Sequence, residues 1–307
     1  MKGLLSSALL AGLMAIASPA LAQSEPQISL ELDSEMGAFE NKELSQGPVK
    51  VVASYQPIDF EADLQADNLQ LDLYYDGELQ TSITETVFMF GSVDLNDLDS
   101  DGIPEVLLQA YTGGAHCCMA ITTYTWQNNQ FKPIYFDYLD GGGGRFEDLD
   151  GDGLMEFVTL DNAFFYTFSS YAGSYPPSVI LTFQDGAYID TTNQFLPRLE
   201  ATAWDMYQSM EQRQEDGYEI NGLLAGYVAQ KIRLGQYREG WDLMLSQYER
   251  DDDWGLQIYD KDGNVIEEYE NFPAALEAFL QDLGYLDANG NPKPGVDRSP
   301  VVAERMR

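Results

Sequence analysis

Histidine occurs once in this chain of 307 residues, cysteine twice, and lysine and arginine together only 16 times. Each shortage excludes something. A single histidine, His116, leaves no room for a multi-histidine zinc or copper centre. The two cysteines, Cys117 and Cys118, are neighbours, with Cα atoms about 3.8 Å apart across a trans peptide, inside the lower limit of roughly 4.4 Å for a relaxed disulfide. No ordinary intrachain disulfide can therefore staple the fold. Against the few basic residues stand 51 acidic ones, for a net charge of -35. A surface so negative repels nucleic acid and anionic lipid and favours divalent cations, so no nucleic-acid partner is expected. Nucleophile elbows of the Gly-x-Ser-x-Gly type are absent, and a Ser-His-Asp triad would have to use His116. The glycines at 141–144 run into Arg145 and Phe146 rather than the Lys-Ser/Thr of a phosphate-binding loop. They suit a flexible entry to the acidic loop that follows.

Long apolar runs are also missing, save one at the start. Lys2, the stretch from Leu4 to Ile16 and the small-residue exit Ala20-Leu21-Ala22 make a secretory signal over residues 1–22, with cleavage expected before Gln23. That run is short of the roughly 20 residues a membrane span needs, and no transmembrane segment is expected after it. The mature chain is read as exported, to the periplasm or the cell exterior.

From residue 23 to 195 the chain reads as antiparallel β-structure, with short β-branched and aromatic runs punctuated by turn signals. Three hairpins are expected at Tyr75-Asp76-Gly77-Glu78, Trp126-Gln127-Asn128-Asn129 and Phe183-Gln184-Asp185-Gly186. Between them fall two acidic loops, and the pattern recurs about every fifty residues. Residues 196–286 change to helical periodicity. Tyr237, Trp241, Leu245 and Tyr248 share one helical face, and Leu223, Tyr227 and Ile232, then Leu276, Phe279, Leu280 and Leu283, mark two further helices. Asn271 with Pro273 is a helix start. Leu256 to Tyr259 and Val265 to Tyr269 flank Asp260-Lys261-Asp262-Gly263-Asn264 as a small hairpin, and residues 287–307, rich in Asn, Gly and Pro, read as a flexible tail. The expected class is α+β, a β domain followed by a small helical one.

The acidic loops carry the chemistry. Asp97, Asp99, Asp101 and Glu105 occupy positions 1, 3, 5 and 9, with Gly102 at position 6. Asp148, Asp150, Asp152, Gly153 and Glu156 repeat that spacing. A hard cation such as Ca2+ takes six to eight oxygens, alternate residues of a tight loop can point inward together, and glycine allows the sharp turn. Ile103 and Leu154 would add backbone carbonyls. An EF-hand needs a bidentate Glu at position 12, where Leu108 and Thr159 stand, and Pro104 disfavours an exiting helix. The loops therefore join strands. A solvated β-turn remains the alternative for either loop taken alone. Two copies with the same ligand positions favour calcium.

Phe90-Gly91-Ser92-Val93 followed by Asp97, Asp99, Asp101-Gly102 and Glu105-Val106-Leu107 resembles the FG-GAP/VCBS repeat of integrin α-subunit propellers and bacterial exported proteins, over roughly residues 70 to 190. In the second copy Gly143-Gly144 stands where Phe-Gly would, and Gly113-Gly114-Ala115-His116 stands near the place of Gly-Ala-Pro. The resemblance implies calcium at the Asp and Glu positions. A closed propeller needs at least about four blades of four strands, and the β region holds about three repeats. A partial or degenerate propeller, or a compact β-sandwich of the same units, is expected.

Two other segments stand out. His116, Cys117 and Cys118 admit a transition-metal site, a strained vicinal disulfide serving as a platform or redox switch, or a buried apolar pair after a glycine turn. The aromatic run Phe164, Phe165, Tyr166, Phe168, Tyr171 and Tyr175 could stack on sugars or fill a core. The face around Trp241 is likewise either a bundle core or a partner groove. The functional expectation is a calcium-binding, exported binding or scaffolding protein with a protein or carbohydrate partner. The alternatives are an envelope-directed hydrolase with structural calcium, or a redox-sensitive protein using Cys117 and Cys118.

Overall fold

The computed structural model describes residues 28–59, 67–115, 117–136 and 138–300. The signal segment and His116 lie outside the described residues. After β1 (Ser29–Asp33) the chain lays down three antiparallel meanders of four strands each. The first is β2 (Phe39–Gln46), β3 (Val49–Tyr55), β4 (Leu69–Tyr75) and β5 (Glu78–Glu85). The second is β6 (Phe90–Asn96), β7 (Glu105–Tyr111), β8 (Met119–Gln127) and β9 (Gln130–Tyr135). The third is β10 (Arg145–Glu147), β11 (Glu156–Leu160), β12 (Ser178–Gln184) and β13 (Ala187–Asp190). The three expected hairpins are the β4-β5, β8-β9 and β12-β13 turns. Strand β1 does not join its neighbour in sequence; it pairs with β6, giving the second sheet the order β1-β6-β7-β8-β9.

Sequence alternation decides how the sheets stack. In β3 Val49, Val51, Ala53 and Tyr55 are buried and the intervening residues are not, as for a sheet with one covered face. In β7 the run Val106-Leu107-Leu108 is buried throughout. Val106 and Leu108 join Val51, Leu71 and Val93 in one core, while Leu107 joins Ile121, Phe157 and Leu181 in another. The second sheet is thus sandwiched between the first and third. The β region is a stack of three sheets, and no closed propeller forms among the described residues.

The helical region comprises α1 (Leu196–Asp216), α2 (Asn221–Arg233), α3 (Tyr237–Gln247) and α4 (Phe272–Asp282), with β14 (Gln257–Tyr259) and β15 (Val265–Glu268) forming the expected small hairpin. Helix α2 is buried along its whole length, which suits its apolar sequence. Helix α4 starts where Asn271 Oδ1 accepts the Ala274 N–H at 3.1 Å, with Pro273 in the first turn. Helix α1, whose Leu199, Ala203, Met206 and Met210 are buried at helical spacing, lacks a clear apolar stripe in sequence, because exposed or half-buried Ala201, Trp204 and Tyr207 interrupt it. Of the expected α3 face, Tyr237, Trp241 and Tyr248 pack half-buried against the helical core and Leu245 is exposed. The fully buried positions are Met244 and Gly240, where a Cβ would stand 2.8 Å from the Lys231 Cβ. The aromatic run divides: Phe164 and Phe168 enter the helical core, meeting Phe279 edge-on at 5.0 and 5.3 Å, while Tyr166 is exposed.

The flexible tail expected from composition is corrected over its described part. Residues 287–300 are bound to both regions. Val296 is buried in the helical core, Lys293 N–H donates to Tyr285 O at 2.8 Å, and Asp190 N–H donates to Ser299 Oγ at 2.8 Å. Arg298 Nη2 lies 2.7 Å from Asp161 Oδ1, and its backbone N–H donates to Asp190 Oδ2 at 2.8 Å. Beside it Arg233 Nη1 and Nη2 face the two oxygens of Asp190 at 3.4 and 3.1 Å, and Tyr285 OH donates to Asp161 Oδ2 at 2.9 Å. Asn, Gly and Pro mark turns here, and the side chains between them do the anchoring.

The Arg233 and Asp190 side chains are 0% and 3% exposed, so removing one leaves the other charge buried without its partner. Replacing Arg233 with Met is expected to cost about 3–5 kcal/mol, and adding Asp190→Leu to recover most of that loss. Urea unfolding of the single and double variants measures both.

Candidate metal centre

Both acidic loops occupy the same place in their sheets, joining the first and second strands of a meander: β6 to β7, and β10 to β11. The glutamate of each is the first residue of the second strand. Glu105 is 2% exposed and Glu156 3%. The ladder sets this depth, because Glu105 pairs with Asn96 and Glu156 with Glu147 at the last rung before the loop. Each carboxylate then reaches back across its loop. Glu105 Oε2 accepts the Leu98 N–H at 3.0 Å, and Glu156 Oε2 accepts the Leu149 N–H at 2.9 Å.

The first aspartate organises each turn. Asp97 accepts the Asp101 and Gly102 N–H groups at 3.1 and 3.0 Å; Asp148 accepts those of Gly151 and Gly153 at 2.7 and 3.1 Å. Gly102 and Gly153 have φ of +87° and +92°, a region in which a side chain would be strained. Three ligand atoms, one each from Asp97, Asp99 and Glu105, lie within 4.8 Å of one another, and so do those of Asp148, Asp150 and Glu156. Asp101 and Asp152 stand outside these triads. Each caps its own turn, accepting the N–H of Ile103 at 2.7 Å and of Leu154 at 2.8 Å.

Electrostatics make the first triad costly without a cation. Burial pushes the Glu105 carboxyl up to about 8, its hydrogen bonds from Leu98 and Thr125 opposing the shift and Asp99 and Asp101 adding to it. Asp99 is raised by burial and by Asp101 and Asp97. Its Oδ1 is buried without a hydrogen-bond partner. Glu156 is raised by burial, then by Asp150 and Asp152. A carboxylate cluster with one orphaned buried oxygen fits a hard divalent cation, which supplies the missing charge and accepts oxygen donors in flexible number.

Sequence reasoning missed Thr125, whose Oγ1 donates to Glu105 Oε1 at 3.1 Å. Its signal was weak, because Thr125 is one of three buried threonines in β8, with Thr122 and Thr123. In the first meander the connection between its first two strands is the short turn Gly47-Pro48, with no acidic residue. That turn abuts the first acidic loop, so that a Cβ on Gly47 would lie 3.4 Å from Gly102 O and 3.7 Å from the Pro104 ring.

Between β7 and β8, Gly113, Gly114, Cys117 and Cys118 lie among the described residues. Thr112 N–H and Oγ1 both donate to Cys118 O at 3.0 Å, and Tyr111 OH donates to Gly114 O. The sulfurs of the neighbouring Cys117 and Cys118 lie against each other, and Cys118 is 9% exposed. No other described residue joins them in a metal-holding group.

Residues 199–284, from α1 through α4, match the family described as the sll0997 C-terminal domain. The chain is 39% identical over 217 residues to the "Probable thylakoid lumen protein sll0997" of Synechocystis sp., covering 67% of this chain and 63% of that protein. It is 33% identical over 193 residues to the "Uncharacterized protein y4bJ" of Sinorhizobium fredii, covering 60% of this chain and 30% of that one. The chain thus spans less than two thirds of either relative. No solved structure matches it at a significant level.

The raised carboxyls fix a sign. Without metal the fold keeps a proton on Glu105 that the unfolded chain, with a carboxyl near 4.5, has lost. Stability should therefore fall as pH rises from about 4.5 to about 8. In chelator the melting temperature is expected to drop between pH 5 and pH 8, and Glu105→Gln to flatten most of that slope. A profile that is flat in the native sequence, or equally steep in the variant, contradicts this account.

Proposed function

We propose that this chain is an exported protein whose β region is stabilised by calcium in the two acidic loops, and that it serves as a binding or scaffolding module outside the cytoplasm, in a periplasmic or extracellular setting. One observation carries the reading: two loops at equivalent places in successive sheets each gather three carboxylates around a buried glutamate. The resemblance of the Asp97 and Asp148 segments to FG-GAP/VCBS repeats supports the choice of calcium. The placement is supported by the signal-like first 22 residues and by the relative named as a thylakoid lumen protein. No helix among the described residues is long and apolar enough to cross a membrane.

Calcium would be held by Asp97, Asp99 and Glu105 at one loop and by Asp148, Asp150 and Glu156 at the other. Asp101 and Asp152 lie close enough in sequence to join through small rotations, and the carbonyls of Ile103 and Leu154 complete the expected set. The ion's role is structural. It discharges the repulsion within each loop and pins the first two strands of the meander, leaving recognition to the surfaces so fixed.

Extracellular sites of this class bind at roughly 0.1–1 mM, and a hundredfold excess over the dissociation constant stabilises by about 2.7 kcal/mol per site. Millimolar calcium is therefore expected to raise the melting temperature, and chelator to lower it. Asp97→Asn combined with Asp148→Asn keeps the side-chain shape and should abolish the calcium response. Equal melting with and without calcium in the native sequence would remove the basis of the proposal.

A further inference from the structure

Helices α1 and α3 both pack on α2 and leave a trough between them. Its walls are regular. Glu200, Ala203, Trp204 and Tyr207 of α1 and Glu239, Asp242, Leu243 and Ser246 of α3 line it, each set at i, i+3, i+4 and i+7, the spacing of one helical face. The floor is Tyr227, Lys231 and Leu234 of α2 and its C-terminal end. The cavity measures about 720 Å³. At one end the walls meet, where Gln214 Nε2 donates to Gln247 Oε1 at 2.8 Å.

Two features say what the trough accepts. Trp204 is 58% exposed and stacks on Tyr207 with ring centroids 5.8 Å apart. An indole face held this way by a second ring attracts apolar groups and cations alike. Around it stand three carboxylates, Glu200, Glu239 and Asp242. The one cation in the lining, Lys231, has its side chain 8% exposed and is already spent, its ammonium 2.8 Å from Glu239 Oε1 and bound to Gln236 Oε1. The rim is therefore net negative and the base aromatic. Two walls with helical periodicity over a floor holding Tyr227 and Leu234 have the form of the receptor side of a helix-in-groove contact, in which anchors at i, i+3 or i+4 and i+7 enter from the ligand.

We propose that this trough docks a cationic amphipathic helix of a partner protein, its apolar anchors lying on Trp204, Tyr207 and Leu243 and its Lys and Arg side chains on Glu200 and Asp242. The inference rests on the binding role proposed above and names the chemistry of its partner. It is independent of the calcium loops, which lie in the β region, so calcium-dependent melting and docking can fail separately. Every lining residue falls inside the segment that matches the sll0997 C-terminal domain.

The test uses the full mature chain and a fluorescein-labelled amphipathic helical peptide of Leu, Ala, Lys and Arg, followed by fluorescence anisotropy. Three comparison probes are a scrambled peptide of the same composition, a peptide with Glu in place of every Lys and Arg, and spermine as a competitor. Saturable binding is expected for the helical peptide alone, weakened at least about tenfold by Trp204→Ala, as for an interface anchor, and comparably by Asp242→Lys. A control variant, Asp262→Lys with Glu270→Lys on and beside the β14-β15 hairpin, should leave the affinity within about twofold, since neither residue lines the trough. Melting of each variant in calcium confirms that the fold is intact. The proposal is overturned if the scrambled peptide binds as well, if the control variant weakens binding as much as Asp242→Lys, or if spermine alone accounts for the site. The first two outcomes indicate attraction to the overall negative charge, and the third a small-cation pocket. Absence of binding to every probe overturns it as well.

Discussion

The attachment of the helical region to the β stack rests on two arginines in a chain that has few. Arg233 ends α2 and closes on Asp190 at the end of β13; Arg298 closes on Asp161, just after β11. Tyr285 stands between them with its hydroxyl on Asp161 and both guanidinium groups 5.6 and 5.8 Å from its ring. Burial raises the Tyr285 hydroxyl far above its ordinary range, so it remains a donor to Asp161. Replacing a buried charge group of this kind with apolar residues of similar volume is often close to neutral, so its net contribution to stability is small. What it does fix is which edge of the third sheet the helices meet.

The same chain handles its other buried charges differently. Among the described residues Glu105 and Glu156 have no arginine or lysine partner; their oxygens are met by backbone N–H groups and, for Glu105, by Thr125. At the junction with the helices the carboxylates are met by arginine. In the acidic loops they are met by hydrogen bonds alone, within turns closed by Asp97 and Asp148.

Local signals were legible in the sequence, and distant ones were not. Asp76-Gly77, Asn128-Asn129 and Asp185-Gly186 announced three hairpins because turn chemistry resides in two adjacent residues. Asn271 and Pro273 announced α4 for the same reason. The spacing of Asp97, Asp99 and Glu105 located a carboxylate triad, but it also placed Asp101 among the inward-facing groups, where the structure shows it capping its own turn. The return of β1 to β6 carried no local mark, since Leu30 and Leu32 would suit an edge of any sheet. Nor did the tail: Arg298 and Asp161 are 137 residues apart, and Asn, Gly and Pro between 287 and 295 look alike whether the segment is anchored or free. The alternation of β3 and the unbroken apolar run of β7 did mark which sheet lies outside and which is enclosed.

The clasp by residues 287–300 also has an order in time. Asp161, Asp190 and Arg233 are made and, in an exported chain, carried across the membrane before Arg298 follows. Until it arrives, Asp161 can hold Tyr285 but has no cation of its own, and Val296 is not yet seated in the helical core. The sheets and helices can form as units beforehand, as domains generally do during synthesis. Their final docking waits for Arg298 and Val296, so the junction closes only after the residues of both regions that it joins have been made.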